Sequence, residues 1–341
     1  MPTKSFYVKD SELDEYQVQV IQRRTNRSFI VKGCAGSGKS ILALWKVKQI
    51  QEENMGSYYF IVFTKTLKQY MKDGIKTVGL KDDRVLYHWQ WENQGCPSAD
   101  YIVVDEAQDF DRTQIDSFKR SANVALLLYG DSAQQIYSFR EPKPLSMEQI
   151  MAHTGFPNEQ LVFNHRLPKK IARFAQYISD SDDELELRCK NEGTELPKIL
   201  KYPSLDAQLD AIAQIIKNRN FTDVGVFFPR NDQVEHGFSY LTRKGIRAER
   251  KSRADMDLNF NSDNVKLITY HSAKGLQFEA VFIPNCNVDD ADKRSPLYVA
   301  ITRSYQSLYI MHSGDLSSFF DEIPNRFYET SLTSGQTGQR L

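Results

Sequence analysis

A glycine-rich segment near the start of the chain has the residue types and spacing of a phosphate-binding turn. It reads GCAGSGKS at residues 33–40 and lies between an apolar run, SFIVK, and a helical run, ILALWKVKQI. Backbone N–H groups of such a turn can surround phosphate oxygens, and the following helix adds its positive end. Lys39 is placed to reach the β and γ phosphates, and the Ser40 hydroxyl to hold Mg²⁺. The turn itself is predicted to be shaped by Gly33, Gly36 and Gly38.

A pair of carboxylates provides the second half of a nucleotide-hydrolysing site. The apolar run YIVV ends at Asp105 and Glu106. A carboxylate at the end of a strand can lie beside the metal ion, and the next one can polarise the attacking water. Without other motifs, such a pair is as often part of a solvated turn as part of a catalytic site. Together with the phosphate-binding turn, it predicts that Asp105 holds the metal and that Glu106 acts as the base.

Short β-rich apolar runs alternate with longer helical patterns, as expected for parallel sheets with crossover helices. The first series of apolar runs lies at 28–32, 58–63, 84–87, 101–104 and 124–129. The second series lies at 161–163, 223–228, 265–269, 280–284 and 307–311. We therefore predict two α/β domains, residues 1–155 and 156–341, which meet in the proline-containing stretch at 141–158. Residues 331–341 are predicted to form a disordered tail.

Composition excludes several classes of protein. Hydrophobic residues make up 40% and charged residues 26% of the 341, which is typical of folded globular chains and not of disordered or fibrous ones. The formal net charge of +0 means that a nucleic acid would have to bind a local groove. The cysteines are widely spaced, which predicts reduced thiols. The first residues, MPTKSFYVKD, do not resemble a signal peptide, so we expect a cytoplasmic protein without a membrane segment.

Several motifs follow one another in the order found in one helicase family. GCAGSGKS and DEAQD are followed by GDSAQQIYSFR at 130–140, NHR at 164–166, TYHSAKGLQF at 269–278 and YVAITR at 298–303. LDEYQ lies upstream at 13–17, and FTKT lies at 63–66. This series resembles the UvrD/Rep/PcrA helicases of superfamily 1 and covers most of the chain. The resemblance implies two RecA-like P-loop NTPase domains, with ATP and Mg²⁺ held in the cleft between them.

The resemblance also implies roles for residues outside the turn. Gln17 would read the adenine edge, and Gln134 would sense the γ-phosphate. Arg166 and Arg303 would cross the cleft to neutralise charge that develops on that phosphate, although a surface arginine is the alternative for each. The further residues implied at the nucleotide are Ile41, His165, Gly275 and Gln277.

Contacts with single-stranded nucleic acid are implied by the same motifs. The residues concerned are Phe63, Thr64, Thr66, Tyr137, Phe139 and His271. Stacking on aromatic rings tolerates any base, which suits a motor that passes every sequence. Each of these aromatic residues could equally belong to the core. An aromatic cluster of Tyr87, His88, Trp89 and Trp91 replaces the family's T-F-H motif, and plain packing is its alternative.

The chain also departs from the family pattern. Relatives commonly have an arginine and a tyrosine on either side of the adenine, where this chain has Ile41 and His165. Gln277 replaces a glutamate and can still accept a hydrogen bond from the ribose, without charge assistance. Only ENQGCPSAD and KSRADMDLNFNSD occupy the two places where large relatives insert accessory subdomains. The chain is therefore expected to be a minimal motor that unwinds weakly alone.

The leading hypothesis is an ATP-hydrolysing translocase or helicase that moves 3′ to 5′ on single-stranded DNA. An ATP-gated nucleic-acid-binding subunit of a larger complex, for example with a nuclease, is the alternative from another class. An RNA-directed motor is the third hypothesis, because stacking and phosphate contacts do not require DNA. A protein partner could supply the missing grip on duplex or a nuclease activity.

The replacement of the adenine-flanking pair predicts weakened base selectivity. With Ile41 and His165 beside the ring, the cation–π contribution is lost and most binding energy comes from the phosphates and Mg²⁺. GTP should therefore compete with a fluorescent ATP analogue better than it does in relatives with the arginine and tyrosine. Gln17→Ala should reduce the remaining preference. A preference for ATP of about a hundredfold that Gln17→Ala leaves unchanged would contradict this prediction.

Overall fold

Two compact units make up the chain, Met1–His165 and Arg166–Leu341. The computed structural model describes residues 13–137, 141–179, 184–253, 255–287 and 289–331. Phe139 and residues 332–341 of the tail expected at 331–341 lie outside these described residues. The four cysteines, all of which are described, are free thiols. Over the described ranges, no helix is both long and apolar enough to cross a membrane.

A six-stranded parallel sheet forms the centre of the first unit, in the order β3-β2-β4-β5-β1-β6. Its strands are β1 (Phe29–Gly33), β2 (Tyr58–Val62), β3 (Val85–Tyr87), β4 (Ala99–Val104), β5 (Ala122–Gly130) and β6 (Asn158–Leu161). Its helices are α1 (Glu15–Gln22), α2 (Lys39–Glu52), α3 (Lys65–Thr77), α4 (His88–Asn93), α5 (Arg112–Ser121) and α6 (Met147–Thr154). The parallel strands and crossover helices confirm the predicted α/β class.

Apolar residues of these strands alternate between two cores on the two faces of the sheet. Phe60 and Val62 of β2 pack in one core with residues of α2 and α3, whereas Ile61 packs in the other with residues of α5 and α6. Successive side chains of a strand point to opposite faces, so a strand covered by helices on both sides is apolar throughout. Because the strands are all parallel, the strand ends that carry the predicted chemistry lie at one edge of the sheet.

The strand expected to open the second domain belongs to the first sheet. The sequence placed a strand at 161–163 in the second series, but β6 pairs with β1 in parallel, with Gly33 opposite Leu161. A Cβ atom on Gly33 would lie only 2.8 Å from the Cβ of Leu161, so glycine allows this close pairing. Helix α6 brings the chain from β5 to the open side of β1. The units consequently divide after His165, whereas the sequence placed the break after residue 155.

The second unit has its own six-stranded parallel sheet, in the order β11-β12-β10-β13-β14-β9. Its strands are β9 (Lys198–Lys201), β10 (Val224–Phe228), β11 (Ala248–Lys251), β12 (Val265–Thr269), β13 (Phe278–Ile283) and β14 (Ser304–His312). A separate two-stranded sheet pairs β7 (Asn164–Pro168) with β8 (Cys189–Asn191). The helices that follow are α7 (Lys169–Ala175), α8 (Leu185–Arg188), α9 (Leu205–Arg219), α10 (Asn231–Arg243) and α11 (Arg294–Ile301).

A buried ionic cluster ties three elements of the second unit together around Glu195. Its carboxylate accepts hydrogen bonds from Lys198 of β9 at 2.6 Å and from Ser307 of β14. Arg219 at the end of α9 donates two more, at 3.1 and 3.2 Å. Burial alone would raise the pKa of Glu195, but these hydrogen bonds and the charge of Lys198 lower it to about 2. The Lys198 side chain is only 1% exposed, and its Nζ also lies 3.7 Å from Oε2 of Glu329, so two carboxylates compensate this buried cation.

Removing the central carboxylate should destabilise the protein in a pH-dependent way. Glu195→Gln should lower the free energy of unfolding at pH 7 by about 3 kcal/mol, because buried Lys198 loses the nearer of its two carboxylate partners. The folded-state pKa of Glu195 is lowered, so its stabilisation is present above about pH 4.5 and is lost as pH falls towards about 2. Denaturant unfolding at several pH values measures the difference from wild type.

The matched control is Asp210→Asn, which removes an exposed carboxylate that pairs with Lys244. This change should cost well under about 1 kcal/mol, as surface ion pairs usually do. A deficit of the Glu195→Gln variant that stays constant from pH 7 to pH 3 would show that the carboxylate charge is not what stabilises the cluster.

Candidate nucleotide site at the carboxyl end of the first sheet

The glycine-rich turn joins β1 to α2 and is closely surrounded by other segments. Gly36 has φ +74° and Gly38 has φ +86°, a left-handed conformation that favours glycine. A Cβ atom on Gly36 would overlap Asn164, and one on Gly38 would lie 2.7 Å from Nε2 of Gln17. The glycines therefore provide both the backbone conformation of the turn and the space for its neighbours.

Lys39 begins α2 and is held against the turn. Its side chain is 6% exposed, and Nζ donates hydrogen bonds to the carbonyls of Gly33 and Cys34 at 2.8 and 2.9 Å. The same nitrogen lies 4.0 Å from Oδ2 of Asp131. The positive charge is thus fixed beside the backbone amides of the turn, as the predicted phosphate contact requires.

Asp105 fits a divalent cation. It follows β4 directly and is fully buried, and its Oδ1 accepts from the Glu106 N–H at 3.0 Å. Among the described residues, its buried Oδ2 has no hydrogen-bond partner. Burial and the charge of Glu106 raise the pKa of Asp105 to about 7, and the nearby Ser40 hydroxyl and the charge of Lys39 oppose this rise. An unpartnered carboxylate oxygen beside a hydroxyl is a ligand set that Mg²⁺ accepts.

No group of three or more His, Cys, Asp or Glu side chains in the described ranges could hold a metal ion. Asp105 and Ser40 would together offer a cation one carboxylate and one hydroxyl oxygen. Mg²⁺ commonly binds through one or two protein ligands together with substrate phosphates and water, so the donor set fits a metal that arrives with a nucleotide.

Glu106 is a buried carboxylate in a strained backbone conformation. It is 4% exposed and has φ 56° and ψ 44°, which is uncommon for a residue other than glycine. The Nε2 group of Gln108 donates to Glu106, and Oε1 of Gln108 accepts from the Asp131 N–H at 2.9 Å. Strain of this kind concentrates at functional sites. The hydrogen bonds hold the carboxylate of Glu106 in a defined position.

Two residues of this network were not predicted. Asp131 accepts hydrogen bonds from Nε2 of Gln134 at 2.6 Å and from the Ala133 N–H at 3.1 Å. It therefore lies between the predicted γ-phosphate sensor and Lys39, while Gln108 lies between Asp131 and Glu106. Both residues belong to motifs visible in the sequence, DEAQD and GDSAQ, but the spacing within a motif does not show which side chains meet.

The residues predicted to contact the adenine lie around the glycine-rich turn. Nε2 of Gln17 donates to the Ser37 carbonyl at 3.0 Å, and Gln17 also forms a capping box with Asp14 at the start of α1. The His165 N–H donates to the Gly36 carbonyl, and its ring Nε2 lies 2.6 Å from Oδ2 of Asp14. Ile41 is buried in the first turn of α2. Their roles at the adenine remain predictions.

Phe63, predicted to stack on a nucleobase, lies in the core instead. It is 4% exposed, and its ring stacks on that of His88 with centroids 4.7 Å apart. The rings of Phe110 and Tyr137 also contact it. Phe63 directly follows β2 and continues the apolar face of that strand. It is therefore a core residue, which was the alternative to base stacking.

The neighbouring threonines also have structural contacts. The hydroxyl of Thr64 caps α3 by accepting from the Leu67 N–H at 3.0 Å, and Thr66 is 3% exposed. The burial of Thr66 leaves little of its side chain for a nucleic acid, contrary to its predicted contact. Tyr137 is partly buried, so one side of it reaches solvent.

The second unit holds the remaining predicted residues. Arg303 is 3% exposed, which excludes the surface alternative for it, and donates to the Val299 carbonyl and to the Thr302 hydroxyl. Arg166 is partly buried. Burial and the charge of Lys293 lower the pKa of His271. Gly275 has φ +78°, and Gln277 is partly exposed.

The first unit thus has the fold and site of a P-loop nucleotide-binding protein. A glycine-rich turn precedes a helix, and a buried carboxylate pair lies at the end of a neighbouring strand. A family model described as the viral superfamily 1 RNA helicase core domain matches residues 29–312. The chain therefore belongs to the superfamily 1 helicases, and the similarity to PcrA-type helicases expected from the motifs is confirmed.

Several named proteins are similar to this chain. A "Probable DNA helicase" of Mycoplasma pneumoniae is 30% identical over 264 residues, which are 69% of this chain and 46% of that protein. PcrA of Staphylococcus aureus is 35% identical over 109 residues, 26% of this chain and 15% of PcrA. The helicase nonstructural protein 10 of an arterivirus is a structural neighbour, with TM-score 0.49, 17% identity, and coverage of 90% of this chain and 62% of that one. The chain spans less than half the length of these curated relatives.

Gly36→Ala should weaken nucleotide binding strongly, because the added methyl group both strains the backbone and overlaps Asn164. The matched control is Gly79→Ala, which also has positive φ, at +70°, but has no atom within 4 Å of the added Cβ. Both changes should reduce stability by about 1 kcal/mol or more. Titration with a fluorescent ATP analogue and thermal unfolding separate the two effects. Equal ATP affinity in both variants would show that the close packing of the turn is not needed for binding.

Proposed function

We propose that the protein is a nucleic-acid-stimulated ATPase that translocates 3′ to 5′ along single-stranded DNA. The observation that carries this proposal is the buried Asp105, whose Oδ2 has no partner among the described residues, next to Ser40 and the glycine-rich turn. That arrangement has the donor atoms for Mg²⁺ and a triphosphate. Membership of the superfamily 1 helicases supports a coupling of hydrolysis to movement on nucleic acid.

Hydrolysis requires one proton transfer and one exchange of bonds at phosphorus. The oxygen of a water molecule bonds to the γ-phosphorus while the Glu106 carboxylate accepts its proton, and the bond to the β–γ bridging oxygen breaks. ADP and phosphate result. Mg²⁺, when bound, neutralises charge on the β and γ oxygens. Lys39 supplies positive charge on the protein side, and Gln134 is the proposed sensor of the γ-phosphate, linked to Lys39 through Asp131.

The second unit contributes arginines to this proposal. Arg166 and Arg303 are proposed to neutralise the charge that develops on the γ-phosphate when the units close. An arginine is suited to this task because its guanidinium is always charged and binds phosphate oxygens with fixed geometry. Gly275 and Gln277 are proposed to contact the nucleotide sugar from the same unit.

Local positive charge on the first unit supports a nucleic-acid ligand. Helix α3 carries Lys65, Lys68, Lys72 and Lys76, which are three, four and four residues apart and therefore lie on one side of the helix. Lys68 lies 3.8 Å from Asp82, and Lys72 and Lys76 are exposed. A neutral chain can bind phosphates through such a patch. Its affinity should then fall with salt.

DNA is proposed as the track because the curated relatives are described as DNA helicases. RNA is the second candidate, because the matching family is described as an RNA helicase core domain.

Strong unwinding of duplex is not expected. Only residues 94–98 separate α4 from β4, and 252–264 separate β11 from β12, so neither position holds an accessory domain. We place the protein in the cytoplasm, where its thiols stay reduced, with a protein partner supplying the grip on duplex or a nuclease activity.

The proposal is tested by ATP turnover with matched single-stranded DNA and RNA, blunt duplex, and duplexes with 3′ or 5′ tails. We expect single-stranded DNA to stimulate turnover and a 3′ tail to permit opening of short duplexes only. Stronger stimulation by RNA would favour the second candidate. Nucleotide-dependent binding without turnover would instead identify an ATP-gated binding subunit.

Glu106→Gln preserves the shape of the side chain but removes the base. Turnover should fall by about 10²- to 10⁴-fold, whereas binding of a fluorescent ATP analogue should stay close to that of wild type. Glu53→Gln, which makes the same change at an exposed position on α2's C-terminal end, is the control and should retain activity. Equal losses of ATP binding and turnover would assign Glu106 a structural role.

A further inference from the structure

Trp89 is an exposed aromatic residue at the edge of the sheet that holds the nucleotide site. Its exposed fraction is 58%, and the other large hydrophobic residues exposed in the described ranges are Val124 and Leu187. Trp89 is the second residue of α4, which begins directly after β3. Because all strands of this sheet are parallel, the carboxyl end of β3 lies at the same edge as the glycine-rich turn and Asp105.

The backbone beneath Trp89 is anchored by buried rings. His88 is 5% exposed, its ring stacks on Phe63, and its Nδ1 contacts the Phe63 carbonyl. Trp91 is 1% exposed and donates from Nε1 to the Pro97 carbonyl at 3.2 Å. Trp89 meets His88 edge to face, with centroids 5.8 Å apart. Its position is therefore fixed from below while much of its ring remains accessible.

The same rings connect this position to the catalytic segments. Phe63 follows β2, and it contacts Phe110, which follows the turn that contains Glu106. Phe63 also contacts Tyr137, three residues after Gln134. Trp89 thus lies on the outer side of a packed aromatic group that contacts both segments.

An exposed indole on a rigid element offers a surface on which a flat ligand can bind. Tryptophan offers a large flat surface with a polar edge, and it is enriched at binding surfaces for that reason. Stacking on an aromatic ring is the interaction by which proteins hold unpaired bases without reading their sequence. The burial of Phe63 removes one of the aromatic residues predicted for that contact, and Trp89 is the exposed aromatic residue nearest to Phe63 along this cluster.

We propose that Trp89 is a base-stacking residue for single-stranded nucleic acid at the carboxyl edge of the first sheet. The inference rests on the proposed function for its ligand, an unpaired nucleobase. It concerns the face of a base and not its sugar, so it applies equally to DNA and RNA.

Equilibrium binding of a fluorescein-labelled oligothymidylate tests this proposal. Trp89→Ala should weaken binding by about tenfold or more, the loss expected when one base loses its aromatic partner. Trp89→Phe should restore much of the affinity. The control is Val124→Ala, an exposed apolar position near the amino end of β5, which should bind within about twofold of wild type.

An oligomer of the same length without bases separates stacking from loss of structure. It retains the phosphates, so wild type and Trp89→Ala should bind it equally. A loss of affinity for the baseless oligomer as large as that for oligothymidylate would overturn the proposal.

Intrinsic fluorescence provides a second readout. Trp45 and Trp91 are buried, at 9% and 1% exposed, so quenching by unlabelled oligothymidylate should come from Trp89 and vanish in Trp89→Phe. Quenching with no stimulated ATP turnover would support stacking while contradicting the proposed motor. Stimulated turnover with unchanged affinity in Trp89→Ala would overturn stacking and leave the motor intact.

Discussion

The close packing of three distant segments around one turn is the constraint on which the first unit depends. Gly33 allows β6 to pair tightly beside β1, Gly36 allows Asn164 to lie against the turn, and Gly38 makes room for α1. A side chain at any of these positions would move backbone or a buried neighbour. The turn is consequently held between the beginning and the end of the unit.

Buried charge is the second feature that organises the site. Lys39, Asp105, Glu106 and Asp131 are each at most 6% exposed. Burying a charge is costly unless it is paired and hydrogen-bonded, and most of these groups satisfy each other through Gln108 and the turn. Oδ2 of Asp105 has no hydrogen-bond partner among the described residues. Burial and the charge of Glu106 raise the pKa of this carboxyl, and the oxygen without a partner leaves a place where a cation would be favoured.

The aromatic residues near this edge show why residue type alone does not reveal exposure. His88 and Trp91 are three residues apart on α4, so they share the face that packs on the sheet, and both are buried. Trp89 lies between them and projects from another face. Phe63 is buried because it continues the apolar face of the neighbouring strand. Whether an aromatic residue of α4 is buried or accessible depends on which face of this short helix it occupies.

Local patterns in the sequence determined the class of fold, the glycine-rich turn and the carboxylates at a strand end. These features depend on neighbours a few residues away, so the strand predicted at 58–63 lies at Tyr58–Val62 and that at 265–269 lies at Val265–Thr269. The edge strands β9 and β11 escaped prediction because each has four residues of which at least two are charged, whereas β3, also an edge strand, is apolar throughout.

Tertiary structure alone decided the partner of β6, the burial of Phe63 and the links from Glu106 through Gln108 to Asp131. Such contacts join residues far apart in the chain, as with His165 and Asp14, which are separated by 151 positions. A local pattern carries no information about a neighbour at that distance. The local pattern specifies which side chains an element can bury. The packing of the whole unit specifies which other residues those side chains contact.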